Sequence, residues 1–481
     1  MQNMKIAMIA SEANPLIKTG GLADVVYALS KELTIEHEEV IVVLPFFKSI
    51  RNKDYILKKV ASYKTKMAWR TPTVDVYQTY IDGITFYLLE NEQYFGRDTI
   101  YGDWDDGERF GFFTMAAKDL FHNINFKPDV IHLHDWQVGM LACIVKEKPN
   151  ENDFIKDCKF VLTIHNPAFQ GLYDKIVLVD FYNLSDDLYF SGKVRFKGMV
   201  STLKTGIVYA DKITTVSPTH REELLNYDTS MGLSQIIKFR EDDFIGILNG
   251  IDIDEFDPTT DSKIAQQFGL NNFVSGKKAC KADLMYKLGL RNVDRPLFSM
   301  VSRLTWQKGM NLVLASAYAL ARNNDNVVIL GSGEPKREQE LEQLRALYPD
   351  NVAIYIGYND TLAHQIYAGS DFFLMPSLFE PCGIGQMIAE RYGTLPIVRR
   401  TGGLNDTVIG YNNENVNTAN GFSFDAFSEE AFVNTCMYAR GVYEDKVVYR
   451  KLVKNALKTD NSWQKSAQKY RQLYRGLLGV N

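Results

Sequence analysis

The chain has 481 residues, of which 46% are hydrophobic and 23% charged, a composition typical of folded globular proteins and unlike that of disordered, collagenous or coiled-coil chains. Such a length fits two large α/β domains, because one hydrophobic core stops growing at about 250–300 residues. Lys and Arg total 54 and Asp and Glu 59, and the resulting formal charge of −5 argues against broad capture of nucleic acid or of an anionic membrane.

Short, nearly continuous, β-branched runs recur along the chain and alternate with turns and longer helical patterns. Runs of this kind are typical of strands buried on both faces of a sheet, and their alternation with helices predicts parallel sheets built from right-handed crossovers. The first run is too short and too interrupted to be a signal peptide. The ten runs are 4–10, 40–45, 130–134, 160–166, 212–217, 296–303, 326–333, 352–357, 372–377 and 395–400.

The runs fall into two sets, separated by a polar stretch and a candidate hinge at 244–258. We therefore predict an α/β fold of two doubly wound parallel-sheet domains, over residues 1–245 and 246–460, facing an interdomain cleft. Ligands are expected in that cleft, at the carboxyl ends of the strands. The tail 461–481 is predicted to contain an amphipathic helix, with Trp463, Tyr470 and Tyr474 as its anchors.

Two Gly-Gly pairs each follow a predicted strand and open a helix. Adjacent glycines at a helix start let backbone N–H groups approach an anion closely. The first pair lies in KTGGLAD (18–24), where Lys18 adds a positive charge, and the second lies in RRTGGLNDTV (399–408). Each pair also has a plain interpretation as a glycine-rich turn, but two such turns at predicted strand ends favour an anionic ligand.

Polar side chains close two strands of the first set. In HLHDWQ (132–137), His132 and His134 share one face of a strand, and Asp135 and Trp136 follow. A metal site is disfavoured because no Cys/His cluster completes it. The next strand ends in TIHNPAFQG (163–171), where His165 is either a structural histidine or part of the cleft edge.

Two motifs of the second set combine charges with turns. In SRLTWQKG (302–309), Arg303 and Lys308 follow a buried strand and suit phosphate oxygens, with a surface salt bridge as the alternative. In SLFEPCGIGQ (377–386), Glu380 precedes a turn that offers backbone N–H groups, a mixture that suits a polyhydroxylated ligand. Thiol catalysis by Cys382 is disfavoured, because no base lies nearby in the sequence.

The cysteines indicate a reducing compartment. There are five, an odd number, and they are widely spaced without a CxxC motif. This usage is typical of a cytosolic protein. No apolar stretch approaches the roughly 20 residues of a membrane helix.

Read together, these segments resemble the family of bacterial glycogen synthases and plant starch synthases. KTGGLAD, HLHDWQ, TIHNPAFQG, ILNGID, SRLTWQKG, GYNDTLAH, FEPCGIGQ and TGGLNDTV occur in the order typical of that family. The resemblance implies a GT-B fold of two Rossmann-like domains, with the last helix crossing back to the first domain. It implies transfer of glucose from ADP-glucose to the non-reducing end of an α-1,4-glucan such as glycogen, with retention of configuration, in the bacterial cytoplasm. No metal, cofactor, nucleic acid or membrane is expected to take part.

The resemblance also implies roles for individual residues. Arg303 and Lys308 would hold the donor diphosphate together with Lys18, and His165 would lie beside the transferred glucose. Glu380 would bind the glucose hydroxyls. The remaining implied roles are backbone donors (Gly20, Gly21, Thr401, Gly402, Gly403), donor contacts (Cys382, Gly383), cleft organisation (Asp24, Asn249), adenine stacking (Tyr358) and the acceptor side (Asp135, Trp136).

The chain departs from related patterns at two positions. Ile388 stands where many GT-B enzymes have a second Glu, and Gln137 stands where many members have His. The alternatives left open are a GT-B transferase that uses UDP-glucose or another acceptor, and a catalytically silent glucan-binding relative. A dinucleotide oxidoreductase is disfavoured because the nearest glycine-rich candidate, GSGEP (331–335), places Glu-Pro where a helix should begin.

Overall fold

A computed structural model describes residues 3–480, which divide into two compact α/β units. The first unit runs up to Val216, resumes over Arg221–Ile247 and resumes again from Ser466. The second unit comprises Ser217–His220 and Leu248–Lys465. Within the described residues, no helix combines the length and the apolar character that a membrane span requires.

The first unit is built on a nine-stranded sheet in the order β12-β11-β7-β6-β1-β2-β5-β4-β3, with β8–β10 forming a small separate sheet. Its central pairs are parallel, and all five runs predicted in this half are strands. The strands are β1 (Lys5–Ile9), β2 (Glu39–Pro45), β3 (Lys58–Lys64), β4 (Thr73–Ile81), β5 (Ile84–Glu90), β6 (Val130–His134), β7 (Lys159–Ile164), β8 (Leu172–Tyr173), β9 (Arg195–Phe196), β10 (Met199–Ser201), β11 (Lys212–Thr215) and β12 (Phe244–Gly246).

One edge of this sheet is antiparallel, which the prediction of purely parallel sheets missed. Strands β4 and β5 form a hairpin around Asp82 and Gly83, which both have positive φ, and β3 pairs antiparallel to β4. An Asp-Gly pair is a strong signal for a two-residue hairpin turn. Val74 and Val76 are buried and alternate with more exposed residues, so this strand lacks the continuous apolar run used to find the others.

Helices cover the sheet of the first unit. Helix α1 buries Val26, Leu29 and Leu33 at the spacing of one helical face. The helices are α1 (Gly21–Ile35), α2 (Lys48–Arg51), α3 (Glu92–Phe95), α4 (Asp106–Asn123), α5 (Leu141–Glu147), α6 (Val177–Asp180), α7 (Asp187–Phe190), α8 (Thr202–Tyr209) and α10 (Ser234–Phe239), with single 3₁₀ turns at Trp136–Val138, Pro149–Glu151 and Glu241–Asp243. Helix α9 (Pro218–Leu224) begins in the segment Ser217–His220 of the second unit and ends in the first.

The second unit is built on a six-stranded sheet in the order β15-β14-β13-β16-β17-β18, parallel throughout. The five runs predicted here are all strands, and the short β18 was not predicted. The strands are β13 (Leu297–Val301), β14 (Asn326–Gly331), β15 (Val352–Ile356), β16 (Phe372–Met375), β17 (Leu395–Arg399) and β18 (Phe422–Phe424). The helices are α11 (Phe273–Leu288), α12 (Met310–Arg322), α13 (Pro335–Leu347), α14 (Asp360–Gly369), α15 (Gly385–Arg391), α16 (Gly402–Thr407), α17 (Glu429–Glu444) and α18 (Lys446–Lys458), with a 3₁₀ turn at Trp306–Lys308.

The last helix, α19 (Trp463–Leu478), has a buried aromatic stripe. The predicted anchors Trp463, Tyr470 and Tyr474 are all buried. From Ser466 onward the helix belongs to the first unit, where the Tyr474 hydroxyl lies 2.7 Å from Nδ1 of His132. Arg471 Nε donates to Glu38 Oε1 at 2.7 Å in the same unit.

The short segment Ser217–His220 joins the second unit, which the sequence did not predict. The Ser217 hydroxyl donates to the Pro381 carbonyl at 2.6 Å. The backbone N–H and the hydroxyl of Thr219 donate to the Asp406 carboxylate at 2.9 and 2.8 Å. These bonds hold Ser217 and Thr219 against the loops that follow β16 and β17 in the same unit.

Candidate functional site

Each sheet has a point where the strand order reverses, and ligands of doubly wound folds bind there, beyond the carboxyl ends of the strands. In the first unit the reversal lies between β1 and β6, and in the second between β13 and β16. The motif residues follow these strands in sequence. Lys18 follows β1, Asp135 follows β6, Arg303 follows β13 and Glu380 follows β16.

The loop after β1 is held by a carboxylate that sequence reasoning did not identify. Glu12 is 3% exposed and accepts hydrogen bonds from the backbone N–H of Thr19, from its hydroxyl at 2.7 Å, and from the Tyr101 hydroxyl at 2.5 Å. Nearby, Lys18 Nζ lies 2.8 Å from Asp24 Oδ1. Burial raises the pKa of Asp24 and Lys18 opposes that rise. A polar residue directly after a predicted strand was the available signal for Glu12.

Gly20 and Gly21 are not explained by close packing. A Cβ added at either position meets no atom within 4 Å in the described part of the chain. Neither N–H donates to a protein acceptor among residues 3–480, and α1, a 15-residue helix, begins at Gly21. The backbone N–H groups of Gly20 and Gly21, called the amide edge below, are therefore available to a ligand, as an anion-binding turn requires.

Asp135 sits at the end of β6 in a strained conformation. Its φ of 59° and ψ of −166° belong to a region that is essentially restricted to glycine, and such strain is typically found at functional sites. Its Oδ1 accepts the N–H of His165 at 2.7 Å. Burial raises the pKa of the carboxyl to about 7, against the lowering effect of the N–H groups of His165 and Asn166.

The histidines around Asp135 divide into two groups. His132 is fully buried and uses both ring nitrogens, one with Tyr474 and one with Thr163 at 2.6 Å, so its role is structural. His134 Nδ1 lies 3.0 Å from Nε2 of His165, which is half-buried at the end of β7. Burial lowers the pKa of His165 to about 3, so the ring is neutral near pH 7.

Trp136 is fixed by packing rather than displayed on the surface. Its half-buried ring contacts Phe110 edge-on at 5.1 Å, and a Cβ at Gly171 would lie 2.7 Å from it. Its carbonyl accepts the Thr202 hydroxyl at 2.7 Å. The neighbouring Gln137 is buried, and its Oε1 has no hydrogen-bond partner within residues 3–480.

In the second unit, Lys308 and Glu380 form a nearly enclosed ion pair. Lys308 Nζ lies 2.5 Å from Glu380 Oε2, and Ser377 Oγ donates to the same oxygen at 3.0 Å. The turn carrying Lys308 ends at Gly309, where φ is +72° and a Cβ would lie 2.3 Å from the Pro376 carbonyl. Glycine is required here because the two loops lie too close together to leave room for a Cβ atom.

Arg303 behaves differently from Lys308. Its side chain is exposed, and within residues 3–480 it makes neither an ion pair nor a hydrogen bond. The surface-salt-bridge alternative therefore does not apply to this residue. An unpaired guanidinium beside the switch point is available for an anionic ligand.

The second Gly-Gly pair is crowded, unlike the first. A Cβ at Gly402, where φ is +42°, would lie 2.0 Å from the Glu380 carbonyl, and one at Gly403 would lie 2.2 Å from the Cys382 carbonyl. The Gly403 N–H already donates to the carbonyls of Glu380 and Pro381, both at 3.2 Å. The expectation of a free backbone donor at Gly403 therefore does not hold. Gly402 and Gly403 thus allow the turn that begins at Thr401 to pack directly against the loop that carries Glu380.

The remaining predicted contacts of the second unit lie around that loop. Cys382 is buried, and burial raises the pKa of its thiol to about 12, which argues against a thiolate nucleophile. Gly383 has a φ of +77°. Asn249 is 6% exposed, and its Oδ1 has no partner among residues 3–480. Tyr358 follows β15, is 84% exposed, and donates its hydroxyl to Asp360 Oδ1 at 3.2 Å.

One cluster has the residue types of a metal site, formed by Glu255, Asp360 and His364. Lys263 Nζ lies 2.6 Å from Asp360 Oδ2 and 3.1 Å from His364 Nε2. An ammonium in that position competes with a cation for the same ligand atoms. The cluster is therefore better described as an ion-pair network than as a metal centre.

Comparisons with known proteins agree across the whole chain. Residues 5–239 match the family model of the starch synthase catalytic domain, and residues 287–459 match that of glycosyl transferases group 1. A glycogen synthase of Clostridium beijerinckii is 43% identical over 483 residues, covering 99% of this chain and 100% of the relative. A glycogen synthase of Bacillus cereus (strain ZK / E33L) is 43% identical over 479 residues with the same coverage.

Solved structures agree with these matches. The catalytic domain of Starch Synthase IV from Arabidopsis thaliana, bound to ADP and acarbose, superimposes with a TM-score of 0.90 at 31% identity, covering 99% of this chain and 100% of that one. A sucrose-phosphate synthase from Thermosynechococcus elongatus has a TM-score of 0.63 at 18% identity, with coverages of 99% and 100%, and shares the fold alone.

Proposed function

This chain belongs to the family of glycogen synthases and starch synthases, and we propose that it transfers glucose from ADP-glucose to the non-reducing end of an α-1,4-glucan such as glycogen. The expected fold class is confirmed, since two α/β domains of the GT-B glycosyltransferase type are present. The observation that carries the proposal is the full-length match, at 43% identity, to curated glycogen synthases. The chain is a glycosyltransferase, and the choice of ADP-glucose as donor is part of the proposal.

The second unit supplies groups that suit a nucleotide-sugar donor. Breaking the bond between glucose and phosphate leaves negative charge on the diphosphate and positive character on the anomeric carbon. We assign Arg303 and Lys308 to the diphosphate, because preorganised cations stabilise charge as it develops. Glu380 positions Lys308 at 2.5 Å and offers its remaining oxygen to a sugar hydroxyl. Tyr358, exposed at the end of β15, is proposed to stack on the adenine.

The first unit supplies a second set of groups. The open amide edge of Gly20 and Gly21, with Lys18 beside it, suits an anion. His165 is proposed to lie beside the transferred glucose, and Asp135 and Trp136 are proposed to serve the acceptor side. The neutral ring of His165 suits hydrogen bonding to hydroxyl groups better than to phosphate.

The reaction is proposed to retain configuration and to need no metal or cofactor. Glu380 is present, but Ile388 stands where many GT-B enzymes have a second Glu. A double displacement that uses two carboxylates is therefore disfavoured. A front-face transfer, in which the leaving phosphate takes the acceptor proton, is therefore preferred. The cations named above supply the charge stabilisation that Mg²⁺ supplies elsewhere. The five cysteines are all free and buried, which supports a location in the reducing bacterial cytoplasm.

The test is a donor comparison with the purified full-length protein in EDTA. Glycogen is supplied with ADP-glucose or UDP-glucose, and release of nucleoside diphosphate and incorporation of glucose into glucan are followed. Incorporation from ADP-glucose, with little from UDP-glucose, is expected. Incorporation from UDP-glucose alone would overturn the donor assignment, and loss of activity in EDTA would overturn metal independence. A folded protein active with neither donor would favour a silent glucan-binding relative.

A further inference from the structure

Two histidines at the carboxyl ends of neighbouring strands are paired ring to ring. In the register of β6 and β7, His134 lies opposite Thr163, two residues before His165. Nδ1 of His134 lies 3.0 Å from Nε2 of His165, a hydrogen-bond distance. The Asp135 carboxylate, bonded to the His165 N–H at 2.7 Å, fixes the backbone between them.

The hydrogen bond between the two rings contains a single proton, which belongs either to Nδ1 of His134 or to Nε2 of His165. Burial lowers the pKa of His134 well below its ordinary value and that of His165 to about 3, so both rings are neutral near pH 7. A neutral imidazole has one N–H donor and one bare acceptor nitrogen. The hydrogen bond therefore runs in one of two directions, and each direction fixes the tautomer of both rings.

The surroundings of His134 distinguish the two directions. Its other nitrogen, Nε2, is enclosed and has no hydrogen-bond partner among the described residues. If His165 donated, His134 would carry its proton on Nε2 and bury an N–H group without an acceptor, which native structures avoid. If His134 donates from Nδ1, its Nε2 is a bare nitrogen and no donor is left unsatisfied.

We propose that His134 donates its Nδ1–H to Nε2 of His165 and so holds His165 as the Nδ1–H tautomer, which presents that N–H to an oxygen of the bound sugar. Nδ1 of His165 has no partner among residues 3–480 and is not enclosed, so a ligand can reach it. His134 is a positioning residue in this arrangement. The role of His165 toward sugar rests on the proposed function; the tautomer does not.

His132 provides a matched control on the same strand. It is as buried as His134, and the two rings lie 4.2 Å apart between centroids. Its nitrogens are bonded to Tyr474 and Thr163 and not to His165. Its replacement therefore removes a buried imidazole from the strand without removing the partner of His165.

The tautomer is read by ¹⁵N NMR of the full-length protein labelled in histidine, using correlations between ring carbon-bound protons and both ring nitrogens. The His165 signals are identified by their loss in His165→Gln. We expect a protonated Nδ1 and a bare Nε2 on His165. The reverse pattern, or a positively charged ring near pH 7, would overturn the proposal.

Variants at His134 then connect the tautomer to turnover. Loss of the partner that fixes a metal-ligating histidine typically costs about 10–100-fold in activity, and we expect an effect of that order here. His134→Leu is expected to let His165 populate both tautomers and to lower kcat by about that factor. His134→Asn can donate from its amide, so it should restore much of the Nδ1–H tautomer of His165 and much of the wild-type kcat. In His132→Gln the His165 tautomer stays as in the wild type. A fall in kcat in His134→Leu with an unchanged His165 tautomer would overturn the positioning role.

Failure of the proposed function has a different signature. In that case the wild-type protein shows the Nδ1–H tautomer but transfers no glucose from either nucleotide sugar. Glucosyl transfer with the opposite tautomer would leave the function intact and reject the present proposal. An altered tautomer in His134→Leu with unchanged kcat and KM would also reject the contact between His165 and the sugar.

Discussion

Nζ of Lys308 lies 2.5 Å from Oε2 of Glu380, and the two side chains are only 13% and 11% exposed. The two residues come from loops that follow different strands, β13 and β16, on either side of the switch point of the second sheet. Removing one partner of an enclosed pair leaves a charge without compensation, which costs more than the loss of a surface salt bridge. The same ion pair therefore stabilises the loops after β13 and β16 and fixes the position of the Lys308 ammonium group.

Replacement of Lys308 by Ala should lower both turnover and stability. Loss of one preorganised group at the developing charge costs about 2.7–4 kcal/mol of transition-state stabilisation, or about 10²–10³ in kcat. The free energy of unfolding should fall as well, since Glu380 is left without its cation. Steady-state kinetics with ADP-glucose and urea denaturation measure the two effects.

A double variant separates these two contributions. Lys308→Ala combined with Glu380→Gln leaves no unpaired charge, so part of the lost stability should return while kcat stays low. Lys281→Ala is the matched control, because Lys281 pairs with Asp371 at 2.7 Å and is similarly buried in the same unit. That variant should lose stability and keep the kcat of its folded fraction. Near-normal kcat in Lys308→Ala would contradict the diphosphate assignment.

The two Gly-Gly pairs should respond oppositely to alanine. In Gly402→Ala the new Cβ would lie 2.0 Å from a carbonyl at a φ of +42°, so a loss of about 1–3 kcal/mol or more in the free energy of unfolding is expected. In Gly20→Ala the Cβ meets nothing within 4 Å in the described chain, and stability should be unchanged or about 0.4–1 kcal/mol higher. The Gly20 variant should instead show a raised KM for ADP-glucose, because the methyl group narrows access to the amide edge.

Gly441→Ala is the control for this comparison. Gly441 lies inside α17, and a Cβ there also meets nothing within 4 Å among the described residues. Its replacement should stabilise the protein by about 0.5–1 kcal/mol and leave KM unchanged. An unchanged KM in Gly20→Ala would argue against an anion at the first pair.

The positions of the central strands and of the main motifs were predictable because both depend on local patterns. Buried parallel strands are continuous apolar runs, and ten of them were found; β5, β12 and β18 also pair in parallel and were missed. The hairpin after Ile81 alternates instead, and its strands were missed although the Asp82-Gly83 turn was visible. Contacts between distant loops could not be read from the sequence. The hydrogen bond from Tyr101 to Glu12 and the crowding of Gly402 by the Glu380 carbonyl both join residues from different segments of the chain.

Tyr358 should contribute to donor affinity without contributing to stability. Stacking of a base on an aromatic ring is worth about 1–3 kcal/mol, so Tyr358→Ala should raise the KM for ADP-glucose by about 5–150-fold, and Tyr358→Phe should remain near wild type. Tyr286→Ala is the control, since Tyr286 is 87% exposed on the same unit. The free energy of unfolding of both Ala variants should stay within about 0.5 kcal/mol of the wild type. Equal KM values for Tyr358→Ala and the wild type would exclude stacking by this ring.

Asp135 should make stability depend on pH in a definite direction. Burial raises the pKa of its carboxyl in the native state to about 7, above the value of about 3.9 in an unfolded chain. Between these values the native state binds the proton more tightly. The stabilisation from this group is therefore fully present below about pH 4 and is lost as the pH rises through 7.

Asp135→Asn tests this, because Asn keeps an oxygen that can accept the His165 N–H but does not titrate. The free energy of unfolding is measured by urea denaturation of both proteins from pH 4.5 to pH 8. The wild-type value minus the variant value should fall steadily across this range, since the titrations of all other groups cancel in the difference. A constant difference for Asp135→Asn would show that this carboxyl is ionised throughout the range.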